Sequence, residues 1–173
     1  SDVCSADLDF NGPRVSAYWA ELAQTGGIER ARELGAIGVA GDLFVDGAIG
    51  SRTACLCGPY ADSPDKTGAA YLDSDDVAEH VASASRAGVQ AGFHVIGDQA
   101  CHTVVAGILR AAETVGEESI RASVHRLEHA EMLSDADIAV MARLGIVASM
   151  QPMFDALWGD PGGMYEQRLG MAR

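Results

Sequence analysis

Long apolar runs are missing from this chain, and basic side chains are scarce. No stretch approaches the ~18 consecutive apolar residues of a membrane span, and the polar start Ser1-Asp2-Val3 lacks the pattern of a secretory leader. No membrane association is therefore expected. Lysine and arginine number 12 against 25 aspartates and glutamates, a formal net charge of −13. That balance argues against a face built to hold polyphosphate, so no nucleic-acid partner is expected. The four cysteines stand at 4, 55, 57 and 101, and Cys55 and Cys57 lack the C-x-x-C spacing of a zinc knuckle or redox pair. Reduced thiols in a cytoplasmic protein are the expectation. The rest is ordinary for a globular chain, with 48% apolar and 21% charged residues over 173 positions.

Short apolar segments alternate with helix patterns along the whole length. Strands are predicted at 13–18, 37–45, 89–94, 121–128 and 146–150, with a helix ending over 29–34 before Gly35. Asp73 with an acidic first turn opens a helix that stops at Gly88. A second helix covers 98–115 and stops at Gly116. Ser134 with Asp137 three residues on has the form of a capping box and opens a third, ending at Gly145. Strands alternating with helices imply a parallel sheet covered on both faces, an α/β fold. The connection from Asp46 to Leu72 is too long for a simple turn and reads as a binding loop or lid. Arg52, Thr53 and Tyr60 are its candidate contact residues. The segment after Pro152 reads as irregular, either a functional loop or a frayed end.

Two of the strands end on histidine. Val89 to His94 leads into Gly97-Asp98, and Ala122 to His129 leads into the next helix. Side chains at the carboxyl ends of neighbouring parallel strands converge on one mouth, and two imidazoles there point to a metal site. Strand alternation puts Asp42, Phe44 and Asp46 on one side, and His125, Leu127 and His129 on one side of their own strand. Asp42 with the two imidazoles would make an N/O ligand set, although a strand-end polar contact explains it equally well. His125 sits below the strand end and reads as structural. Arg126 and Glu128 are expected to point away from the site, between sheet and helices. Asp98 reads either as an N-cap or as a group that orients a ligand. His80 and His102 fall on helices and read as packing or surface residues.

His125-Arg126-Leu127-Glu128-His129 also spells H-x-x-E-H, an inverted zinc-protease signature. That chemistry needs a helix where the alternation calls for a strand, and it leaves His94 unexplained.

Three ordered strings carry a resemblance. They are Gly41-Asp42-Leu43-Phe44-Val45-Asp46-Gly47-Ala48-Ile49-Gly50-Ser51-Arg52-Thr53-Ala54, Phe93-His94-Val95-Ile96-Gly97-Asp98-Gln99-Ala100 and His125-Arg126-Leu127-Glu128-His129-Ala130. Together with Ala148-Ser149-Met150-Gln151-Pro152 they resemble the amidohydrolase superfamily, in particular amidohydrolase family 3 and its N-substituted formamide deformylase-like branch. The resemblance implies a (β/α)₈ barrel with one or two metals, usually zinc, at the carboxyl ends of the strands. His94 and His129 would be the ligands at the ends of strands five and six. The family often has a lysine where Asp42 stands, which makes Asp42 a departure. The family's H-x-H on strand one and aspartate on strand eight, the latter a metal ligand and proton shuttle, are not visible here.

The implied chain is thus a partial TIM barrel, about strands 3 to 7, in a single segment from 1 to 173. Its implied activity is hydrolysis of a small-molecule amide, a non-peptide carbon–nitrogen bond, with the general base outside the chain. Arg52, Tyr60, Asp98 and Trp158 are the substrate-side candidates, and Phe154, Trp158 and Met164 after the last strand read either as an apolar pocket wall or as loose tail packing. The alternative is a barrel fragment without chemistry of its own. Because a full barrel takes about 200–250 residues, open sheet edges are expected to recruit the remaining barrel strands or a second copy in a homo-oligomer.

Overall fold

The computed structural model describes residues 13, 15–41 and 43–171. Strands β1 (Gly38–Val39), β2 (Gln90–Val95), β3 (Arg126–His129) and β4 (Val147–Ser149) lie side by side in chain order, all parallel. Tyr18 adds a further parallel bridge to Gly38, so the predicted first strand survives as a rudimentary edge. The predicted strand 37–45 meets β2 at both ends, through Gly38 opposite Gln90 and Phe44 opposite His94. Seven positions, 38–44, there face five, 90–94, so the ladder is interrupted between Val39 and Phe44. The fold is α/β, an arc of a parallel barrel flanked by helices.

The helices are α1 (Gly27–Glu33), α2 (Ser74–Ala87), α3 (Asp98–Val115), α4 (Glu117–Ser123), α5 (Asp135–Leu144), α6 (Met153–Trp158) and α7 (Met164–Leu169). Their ends follow local chemistry. Asp73 accepts from the N–H groups of Asp75 and Asp76, while the Asp76 carboxylate returns a bond to the Asp73 N–H. Ser134 and Asp137 do the same for α5. Each such box satisfies donors that a helix start leaves open. Gly88 and Gly145 close α2 and α5 in the left-handed conformation. In α3 the buried Ala100, Cys101, Val104, Val105, Ile108, Ala111 and Ala112 recur at helical spacing and form the core-facing stripe. Phe93 and Leu127 face that layer from the sheet, each 1% exposed. Full burial of a side chain of that size contributes roughly 1.5–3 kcal/mol.

Three expectations are corrected. The predicted strand 121–128 is shorter, because 117–123 is helix. Glu117 and Glu118 give α4 an acidic first turn, Glu117 pairs with Arg121 one turn on at 2.9 Å, and Ile120 is buried. These local terms outweigh the strand preference of the residues that follow. The side assignment on β3 is also inverted. Gly92, Phe93, His94 and Val95 stand opposite Arg126, Leu127, Glu128 and His129, and residues opposite one another in a parallel pair share a face. Leu127 lies with Phe93 against the helices, so Arg126 and Glu128 share the other face with His94. Arg126 there donates to Glu128 at 3.0 Å and Ser149 at 2.8 Å, and its guanidinium lies 5.5 Å from the centre of the Tyr18 ring. Finally, the segment after Pro152 is ordered into α6 and α7, which bury no residue of their own.

Candidate metal centre

His94 and His129 meet at the carboxyl ends of β2 and β3, with ring centres 4.7 Å apart and planes at 72°. Simple alternation would turn His129 toward the helices with Leu127. It does not, because His129 and Ala130 both take left-handed backbone, at φ of 69° and 51°. That conformation is costly for residues with a β-carbon, and here it swings the imidazole across to its partner. Phe44 packs on His94 from the other side at 4.4 Å, and Phe154 stacks over His129 at 6.1 Å.

Each imidazole is oriented through one nitrogen. His94 Nε2 lies 3.1 Å from the Gly47 carbonyl, which can only accept, so Nε2 carries the proton and Nδ1 the lone pair. His129 Nδ1 lies 2.6 Å from Gln151 Oε1. The other end of that amide donates to the Ser149 carbonyl at 3.2 Å, which fixes the oxygen toward the ring. His129 therefore carries its proton on Nδ1. Metal-ligating histidines are held in this way, with the distal N–H bonded to a carbonyl or carboxylate. The donor chemistry of the pair fits a divalent metal such as zinc. Among the described residues no cluster of three or more His, Cys, Asp or Glu is placed to hold a metal ion. Asp42, the third donor expected from the sequence, lies outside the described residues.

Asp46 supports the site from below. It is fully buried and accepts from the N–H groups of Cys55, Ile96 and Gly97 at 2.8–2.9 Å. Burial pushes its pKa up to about 6, against the downward pull of those three donors. By tying the long loop to the end of β2, it also sets the carbonyl of its neighbour Gly47 beside His94.

Two adjoining hollows, of about 480 and 460 Å³, open beside the histidines and share His129, Ile49, Glu131, Phe154 and Tyr165. Trp158 lines the one that reaches His94, packed at 4.7 Å on Phe154 and 6.0 Å from Tyr165. Tyr165 donates to Glu131 at 2.8 Å. Burial, and then that carboxylate, push its phenol above the usual tyrosine range.

The other sequence candidates are placed differently. Tyr60 is 1% exposed, donates to the Ala54 carbonyl at 2.9 Å and packs in a small core with Ile49, Leu56 and Ile96. Its expected contact with substrate is corrected, since its ring and hydroxyl are both enclosed. Arg52 makes a two-pronged pair with Asp62 at 3.0 and 2.7 Å, and Arg168 joins the same carboxylate. That group closes the loop onto α7 rather than lining either hollow. Thr53 is bonded within the loop, its hydroxyl accepting from the Ala48 N–H. Asp98 borders the larger hollow, but it is the first residue of α3 and not its N-cap, which is Gly97. Its carboxylate accepts from the N–H groups of Cys57 and Gln99.

The remaining histidines are structural. His125 is 2% exposed, accepts from the Ala91 N–H and bonds Ser85, while His80 accepts from the Ala23 N–H and donates to the Val39 carbonyl. His102 pairs with Asp137. With β3 a strand and both nitrogens of His125 engaged, the H-x-x-E-H protease geometry is absent. Sequence reasoning missed the part played by Gln151. Its only signal was an amide directly after the last strand and before Pro152.

A parallel arc with paired imidazoles at its carboxyl end defines a barrel-type α/β protein with a strand-end site. The chain belongs to the amidohydrolase family, whose model ("Amidohydrolase family") matches residues 17–173. It is 31% identical over 130 residues to Protein LONG AFTER FAR-RED 3 of Arabidopsis thaliana, covering 75% of this chain and 21% of that protein. Over 114 residues it is 33% identical to YtcJ of Bacillus subtilis strain 168, whose given name assigns it provisionally to the amidohydrolases, covering 66% and 20%. The chain thus spans about a fifth of the length of these curated relatives. An uncharacterized metal-dependent hydrolase of Pyrococcus furiosus matches with a TM-score of 0.63 and 28% identity, over 84% of this chain and 30% of that one. A second such hydrolase, from Pyrococcus horikoshii OT3, matches in fold with a TM-score of 0.66 at 24% identity, over 92% and 31%.

Proposed function

We propose that this chain supplies the central strands of a metal-dependent amidohydrolase domain acting on non-peptide carbon–nitrogen bonds of small-molecule amides. The observation that carries the reading is the His94–His129 pair, each ring held by a carbonyl oxygen on its distal nitrogen. A zinc or similar divalent ion held there would supply a Lewis acid for the amide carbonyl and lower the pKa of a bound water to about 7. His94 and His129 would hold it, with Asp42 a candidate third donor. Phe154 and Trp158 form an apolar wall for the substrate, while Glu131 and Asp98 supply polar groups at the mouth. The general base comes from outside this chain in this reading. Resemblance to the N-substituted formamide deformylase-like branch supports an amide substrate.

The exposed side chains of β4 and its flank, Val147 at 42% and Met150 at 55%, are where remaining barrel strands or a second copy would add. The test is elemental analysis of the protein that carries this segment, beside its His94→Ala and His129→Ala variants. Bound zinc lost in both variants is the expected result. Unchanged metal content in both would overturn the assignment.

A further inference from the structure

We propose that Gln151 is a positioning residue that dictates which nitrogen of His129 is presented to the metal. The inference rests on the reading of His94 and His129 as a metal-holding pair. Neutral histidine in water carries its proton mostly on Nε2. At His129 the contact with Gln151 Oε1 requires the proton on Nδ1 instead, and the amide cannot turn over without losing its bond to the Ser149 carbonyl. The bonds thus run from the β4 backbone through one amide to one ring. Pro152, the N-cap of α6, follows Gln151 directly, and the Phe154 ring stacks on the same imidazole.

The two rings are set in opposite senses. His94 donates its Nε2 proton to the Gly47 backbone carbonyl, an acceptor that no side-chain substitution removes. His129 is set by a side chain alone, so its lone pair at Nε2 depends on a single replaceable residue. Removing the acceptor frees the ring to take the ordinary tautomer, which places a proton where the lone pair belongs.

The experiment is long-range proton–nitrogen correlation NMR of histidine-labelled, metal-free protein at pH 8, with zinc affinity measured separately by chelator competition. In the wild type His129 is expected with Nδ1 protonated. Gln151→Leu should shift it to Nε2, and Gln151→Glu, which keeps an acceptor, should retain Nδ1. Zinc affinity should fall about 10–100-fold in Gln151→Leu and be rescued in Gln151→Glu. His125, whose Nδ1 accepts from Ala91, should stay protonated on Nε2 throughout and reports that the fold is intact.

An Nε2-protonated His129 in the wild type, or an unchanged tautomer in Gln151→Leu on a folded protein, overturns the proposal. So does measurable zinc binding of equal affinity in the wild type and Gln151→Leu. The tautomer is read without metal, so tautomer control in a protein that binds no zinc would sink the metal reading alone.

Discussion

Val124, His129 and Ala130 share left-handed backbone without being glycine, and they differ in what that strain accomplishes. At His129 it turns a ring into the site. At Val124, φ 50°, it only reverses the chain at the end of α4, with a β-branched side chain that is 46% exposed. Left-handed backbone costs a β-carbon-bearing residue of order 1–3 kcal/mol, and glycine is the usual occupant of such a helix end. Val124→Gly should therefore stabilise the protein by about 1 kcal/mol, read as a higher urea midpoint at unchanged slope. A lower midpoint would show that the valine's packing outweighs its strain. The meeting of His94 and His129 was legible in the sequence, since each closes a predicted strand. The tie between Gln151 and His129 was not, because nothing in the local pattern joins a strand-end histidine to an amide just beyond the next strand. Tyr60 misled for the opposite reason: an aromatic in a glycine-containing loop looks like a contact residue until its own small core is seen.

Among the elements, helices with reciprocal caps were read almost to the residue. Asp73 and Ser134 start α2 and α5, and α3 covers 98–115 as expected. The β3 boundary was lost to α4, and with it the face of Arg126, Leu127 and Glu128, because a side-chain period of two makes face assignment depend on where pairing begins. The long loop's role was legible only as length. Its attachment comes from Asp46 and from Gly97, where a β-carbon would lie 2.1 Å from the Cys55 carbonyl oxygen. Gly97→Ala must push that backbone away, at about 1–3 kcal/mol, and loosen the loop around Gly47. Faster limited proteolysis within 46–72, at an otherwise similar digestion pattern, is the expected outcome. Equal cleavage rates in variant and wild type would mean that the loop is held elsewhere.

For the whole molecule, acid is the informative stress. Burial lowers the pKa of both His80 and His125 to about 4. The unfolded chain takes up these protons first, so the stability they lend is complete above about 6.5 and is lost as pH falls toward 4. Each contributes roughly 3 kcal/mol over that window. Asp46, raised to about 6, acts with the opposite sign and favours the fold as pH falls from there to 3.8. Two histidines against one carboxylate leave a net loss. Urea midpoints should therefore drop between pH 6.5 and 4.5, and less steeply in His125→Asn if that variant folds. A flat profile in the wild type would refute the argument. The parallel α/β architecture was legible from the strand–helix rhythm, whereas the closing of α6 and α7 over the hollows was not, since neither buries a residue that a hydrophobic pattern could reveal.

The two imidazoles are also set by segments far apart in the order of synthesis. A chain made from its N-terminus can orient His94 once Gly47 and β2 have emerged. His129 has to wait for Gln151, 22 residues after it. Half of the proposed centre is thus available early and half late, and a nascent chain stalled before that point holds only one of the two rings in its final orientation.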